Sequence, residues 1–134
     1  MIGFIERGAG VRTRALAVVY WTATGLVAAE LVLGGVWDVL RLPVVLGTVT
    51  RLGYPAYFLV ILGIWKLLGA AALLAPRFPR LKEWAYAGVV FADTGAIASH
   101  LWVGIGAGEV AFLVVLLVLT FVSWATRPDG RVMR

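Results

Sequence analysis

Four ionisable residues stand inside long apolar stretches of this chain: Glu30, Lys66, Asp93 and His100. Residues 15–36 contain Glu30, residues 55–75 contain Lys66, residues 84–105 contain Asp93 and His100, and residues 110–126 carry no charge. Each stretch is close to the roughly 20 apolar residues an α-helix needs to cross the hydrocarbon core. A charge at mid-bilayer costs at least about 2.5–3.5 kcal/mol on insertion scales, so each needs a partner, a water-filled cavity or a function. Lys66 can form a buried pair with Asp93 or Glu30. The formal sum of these three is −1, which leaves one acid without a counter-charge. Buried ion pairs can serve only to set helix register, but a leftover acid favours a binding or proton-linked site. His100 is the single histidine. A neutral imidazole donates from one nitrogen and accepts at the other, so it can meet a ligand such as a quinone. Its structural alternative is a hydrogen-bonded cap near a helix end.

Asp93 and His100 are seven residues apart and share a helix face. With a rise of about 1.5 Å per residue, Lys66 and Asp93 fall near mid-membrane, Glu30 in the outer third, and His100 and Glu109 near the outer boundary. This predicts a polar pocket opening outward and closed by apolar packing on the other side. Tyr54, Tyr57, Trp65, Tyr86 and Trp102 can line it, although interfacial anchoring is the preferred reading for Trp84, Trp102 and Trp124. The ligand-binding set is therefore Glu30, Lys66, Asp93, Ser99, His100, Tyr54 and Trp65. Zinc held by His100, Asp93 and Glu109 is disfavoured, and the chain has no cysteine for a thiolate or dithiol site. No metal is expected. Gly104-x-Gly106-x-Gly108 reads as a turn, since no strand precedes it, and no nucleophile set or phosphate loop is present. Catalysis by this chain alone is not expected; at most it is a subunit of a membrane oxidoreductase.

These residues must be positioned by membrane helices. The chain of 134 residues is 62% hydrophobic and 14% charged, where soluble domains carry about 25% charged residues. Its net charge of +5 speaks for topology rather than nucleic-acid binding, because the basic residues sit between the apolar runs. Arg7, Arg12, Arg14, Arg77, Arg80, Lys82, Arg127, Arg131 and Arg134 alternate with two connections that hold Arg41 and Arg51 alone. Nine against two places both termini and the middle loop in the cytoplasm. Residues 1–14 read as a basic surface arm, and 15–36 as a retained helix rather than a cleaved signal, being too long for an h-region. Pro55 suits a first helical turn, Pro76 and Pro79 close a span, and a short interfacial helix fits Pro43 to Leu52. Gly88, Ala92 and Ala96 form a small-residue stripe expected to face another helix of the same bundle. The expected fold is all-α: a single membrane domain over 1–134, an up-down four-helix bundle with spans at about 15–36, 55–75, 84–105 and 109–126.

Longer runs of residues carry a resemblance. Gly34-Gly35-Val36-Trp37-Asp38, Leu52-Gly53-Tyr54-Pro55, Gly63-Ile64-Trp65-Lys66-Leu67-Leu68-Gly69, the run Pro76 to Gly88, Gly95-Ala96, Ser99-His100 and Ser123 to Pro128 together resemble the DoxX-like family of small bacterial four-helix membrane proteins. The resemblance spans roughly residues 25–131, with Pro76 to Gly88 its most specific part. Relatives in this wider group include small subunits of membrane redox systems such as thiosulfate:quinone oxidoreductase. The fold is similar to four-helix ligand-binding proteins of eukaryotic membranes. What the resemblance implies for this chain is an inner-membrane protein with Lys66, Asp93, Ser99 and His100 as pocket residues. The expected function is binding of a small lipophilic molecule, a quinone being one class, as accessory to a redox partner subunit. The alternatives are a proton-coupled transporter, as a homodimer, and a structural subunit that recruits a partner through its basic loop.

Overall fold

The computed structural model describes the backbone of residues 2–128 and the side chains of residues 13–128. Its regular structure is entirely helical: α1 Ile2–Val39, α2 Pro43–Arg51, α3 Ala56–Leu74, α4 Pro79–Val103 and α5 Ala107–Ala125. Proline and left-handed turns set the boundaries. After α1, the Leu42 amide bonds the Trp37 carbonyl (3.1 Å) and the Arg41 amide bonds the Asp38 carbonyl (3.1 Å). That is the Schellman arrangement, closed here by an arginine at φ 52 instead of a glycine. Leu42 is then extended, as a residue before proline should be, and Pro43 opens α2. Pro55 takes the N-cap position of α3, one residue earlier than the first turn.

α1 runs unbroken back to Ile2, so the expected surface arm is instead part of a 38-residue helix. α4 begins at Pro79 rather than near Trp84 and stops at Val103. Among the described residues, three helices are long and apolar enough to cross a membrane: Thr13–Val39 within α1, α3 and α5. α4 has the length, with 25 residues, but Asp93, Thr94, Ser99, His100 and its glycines dilute its apolar character.

α1 packs against α3 and α5, and α4 packs against the same two, so the long helices close a ring with α1 opposite α4. The chain order around the ring follows from the short α3–α4 and α4–α5 connections. Inside it lie Val27, Leu31, Ala70, Leu73, Tyr86 and Val89. Large apolar side chains, including Trp65, Trp84, Phe91 and Trp102, cover the outside. An exterior this apolar suits lipid, where burial of a hydrophobic residue gains little.

The closest helix contact is between α1 and α3. A Cβ placed on Gly63 would lie 2.6 Å from the Gly35 carbonyl oxygen and 2.8 Å from the Val39 amide nitrogen. Glycine at both positions lets the two backbones touch. The Gly88–Ala92–Ala96 stripe does not do this: Gly88 and Ala92 are exposed, and a Cβ on Gly88 would meet nothing.

Lys82 also departs from expectation. Read as a loop charge, it is fully buried. Its ammonium donates to the carbonyls of Ala72 (3.0 Å), Ala75 and Arg77 (2.7 Å). The carbonyls at a helix C-terminus lack intrahelical partners, and Lys82 supplies one for the end of α3. The turn that aims them carries Arg77 at φ 68 and Phe78 at φ 55, two non-glycine residues held left-handed between Pro76 and Pro79.

Candidate functional site

Glu30, Gly34 and Asp38 recur every fourth residue and therefore lie on one face of α1. Lys66, midway along α3, reaches that face. Its ammonium lies 3.0 Å from Asp38 Oδ2 and 3.7 Å from Glu30 Oε1. The close approach at Gly35 and Gly63 makes this reach possible, and Gly34 leaves room for the charges. A Cβ on Gly34 would fall 2.9 Å from Glu30 Oε1 and 3.2 Å from Lys66 Nζ. The side chain of Asp38 is 3% exposed, against 22% for Glu30 and Lys66.

The principal partner of Lys66 is thus Asp38, two residues beyond the expected first span of 15–36 and outside the expected ligand-binding set. Glu30 is the second partner. Asp93 makes no ion pair with Lys66, but Glu30 and Lys66 are the charged groups near enough to act on it, so it borders the same cluster from α4. Its Oδ2 is buried and has no hydrogen-bond partner. Three carboxylates therefore face one ammonium. Asp38 had one legible signal: it stands eight residues after Glu30, on the same helical stripe.

His100 is 5% exposed. Its Nδ1 lies 2.8 Å from the Ala96 carbonyl oxygen, and a carbonyl only accepts, so this contact assigns the proton to Nδ1. In a neutral ring Nε2 is then an acceptor. That nitrogen is buried and has no hydrogen-bond partner. The His100 carbonyl meanwhile takes the Gly104 and Ile105 amides and closes α4. Gly106, at φ 75, brings Glu109 alongside the ring. A Cβ there would meet His100 Cδ2 at 2.7 Å and Glu109 Oε2 at 2.8 Å.

Ser99 donates to the Gly95 carbonyl (2.9 Å), so the hydrogen between Tyr54 and Ser99 belongs to Tyr54, whose hydroxyl is 2.7 Å away. Tyr54 stacks on Phe58 with centroids 4.8 Å apart, tying the start of α3 to α4. Trp65 is 70% exposed on the outside of the ring and is not brought to the cluster. Tyr57 and Trp102 also face outward. Among the described residues, no three of His, Cys, Asp and Glu come together as metal ligands.

At the other end of the ring, where apolar packing was expected, there is a buried hydroxyl network. Ser123 Oγ lies 2.6 Å from Thr24 Oγ1 and 2.7 Å from the Tyr86 hydroxyl. Tyr20, Thr24, Tyr86, Thr120 and Ser123 are all buried. Scattered singly through three apolar runs, these hydroxyls give no sequence signal of their meeting. Beyond them, Arg127 pairs with Glu83, stacks over Trp124 at 5.0 Å and donates to the Trp124 carbonyl (2.7 Å).

Two grooves stand out on the described surface. One, of ≈ 570 Å³, runs along α2. The other, of ≈ 270 Å³, lies between α4 and α5. Neither borders Asp93 or His100, so the outward-opening pocket expected there is not one of these.

A family model described as the DoxX-like family matches residues 22–123. That match takes in the whole Glu30–Asp38–Lys66–Asp93–His100 set. No curated protein and no solved structure matches the chain.

Proposed function

The chain belongs to the DoxX-like family, and from that premise and the buried polar cluster we propose that it holds an intramembrane site for a small lipophilic molecule. α4 serves as the fourth span, completing an up-down four-helix bundle around α1, α3 and α5. Both termini lie in the cytoplasm of a bacterial inner membrane. Eight basic residues flank that side once the buried Lys82 is set apart from the nine, against Arg41 and Arg51 opposite.

One observation carries the proposal: Asp93 Oδ2 and His100 Nε2 are both buried without hydrogen-bond partners. They share a face of α4, about 10 Å apart along its axis. An unsatisfied buried polar atom costs about 1–3 kcal/mol, and a ligand that meets it recovers that cost. Because Nδ1 donates to Ala96, the free Nε2 accepts. The ligand is then a molecule that presents a hydroxyl or N–H, so the reduced quinol form fits His100 better than the quinone carbonyl does. As an accessory subunit, the protein would hold such a molecule for a redox partner that supplies the electron chemistry.

The excess of carboxylates over ammonium groups favours a second reading, proton-coupled transport by a homodimer. Protein purified from membranes separates the two. Under the binding reading, a quinol-class or other hydroxylated lipophile copurifies with wild type and is lost in Asp93→Asn and His100→Ala at unchanged melting temperature. A pH-driven flux in proteoliposomes with no bound molecule supports transport instead. Lower stability in both variants, with neither ligand nor flux, leaves a purely structural role and defeats the proposal.

A further inference from the structure

We propose that the groove between α4 and α5 holds one acyl chain of a phospholipid whose anionic phosphate headgroup is met by the arginines at its mouth. The groove begins at Glu83 and Trp124 and runs past Ala87 and Val90 to Phe91 and Phe121. From Glu83 to Phe91 is about 12 Å along the helix axis, so the groove starts where α4 and α5 meet the headgroup level and points toward mid-membrane. Phe91, Phe121 and Trp124 are 74%, 51% and 43% exposed, so its walls open sideways to lipid rather than into the ring.

Charge at the mouth decides which lipid. Arg127 pairs with Glu83. Arg80 stands one turn before Glu83 on the same side of α4, and both Arg77 and Arg80 are exposed and enter no ion pair among the described residues. Arg127 is committed to Glu83, which leaves the exposed Arg77 and Arg80 at this end of α4 as cations without a carboxylate partner among the described residues, an excess that suits a phosphate. The apolar walls cannot select, because a lipid tail is as apolar as the side chains it would touch. They supply shape, and the arginines supply preference, as basic sites between membrane helices do for anionic headgroups. This site is separate from the Glu30–Lys66 cluster and stands or falls without it.

The test uses the full chain in nanodiscs of equimolar phosphatidylglycerol and phosphatidylcholine, followed by gentle extraction and native mass spectrometry. Wild type should retain one lipid with phosphatidylglycerol favoured. Arg80→Glu should lower that preference by about fivefold or more, the order expected for one interfacial arginine, while still retaining lipid. Ala87→Phe fills the groove from an exposed position and should lose the retained lipid of both classes. Helical content checks that each variant folds. Equal retention of the two lipids by wild type, or lipid unchanged in Ala87→Phe, overturns the proposal. So does efficient disulfide dimerisation of Ala87→Cys within the bilayer, since a second copy then covers the groove.

Discussion

Replacing Lys66 by methionine keeps its length and removes its charge, leaving Asp38, Glu30 and Asp93 without a cation. At an effective dielectric of about 20, unit charges 3.0 Å apart attract by roughly 5–6 kcal/mol, and at 3.7 Å by roughly 4–5. These are gross attractions, set against the cost of taking each group out of water. The measured cost of removing one member of a buried pair, about 3–5 kcal/mol, is the better guide to net loss. Lys66→Met should therefore be strongly destabilising in detergent, seen as a large fall in the thermal midpoint by circular dichroism. The geometry also ranks the rescues. Asp38 is the nearer and more buried partner, so Lys66→Met/Asp38→Asn should recover more stability than Lys66→Met/Glu30→Gln. A single variant as stable as wild type would refute the cluster. Equal recovery by the two doubles would refute the ranking, and with it Asp38 as the principal partner.

Lys82→Met should cost as much as a buried charge-assisted cap is worth, about 2–4 kcal/mol, since it strips the carbonyls of Ala72, Ala75 and Arg77 of their donor at once. Arg80→Met, two residues away and exposed, should change the same melt by less than about 0.5 kcal/mol. Gly63→Ala sets a methyl 2.6 Å from the Gly35 carbonyl oxygen and must push α1 from α3, at a cost of about 1–3 kcal/mol. Exposed Gly88→Ala should be neutral or slightly stabilising in the same assay, through better helix propensity.

The all-α class, the membrane setting, the family and the approximate positions of the long helices were legible in the sequence because each rests on local properties. Apolar run length, the missing cysteines, and prolines at 43, 55, 76 and 79 need no knowledge of what packs against what. Glu30, Lys66, Asp93 and His100 were legible for the same reason: a charge inside an apolar run stands out whatever its surroundings. Partnership was not. Asp38 sits at the end of α1 beside Trp37, where a charge is ordinarily solvated, and Lys82 stands among the basic residues of a turn. Each is buried only because a neighbouring helix folds over it, through the glycine contact at positions 35 and 63 in one case and the left-handed Arg77–Phe78 turn in the other. The small-residue stripe at 88, 92 and 96 misled in the opposite sense. Four-residue spacing marks a face but cannot say which face of α4 looks inward, and the ring turns that one outward. Thr24, Tyr86 and Ser123 are likewise unremarkable alone and become a network only when α1, α4 and α5 come together. Sequence sets which residues are costly to bury. Tertiary structure alone decides which of them meet, because the distances that govern hydrogen bonds and ion pairs depend on helix rotation and approach, and no single helix specifies either.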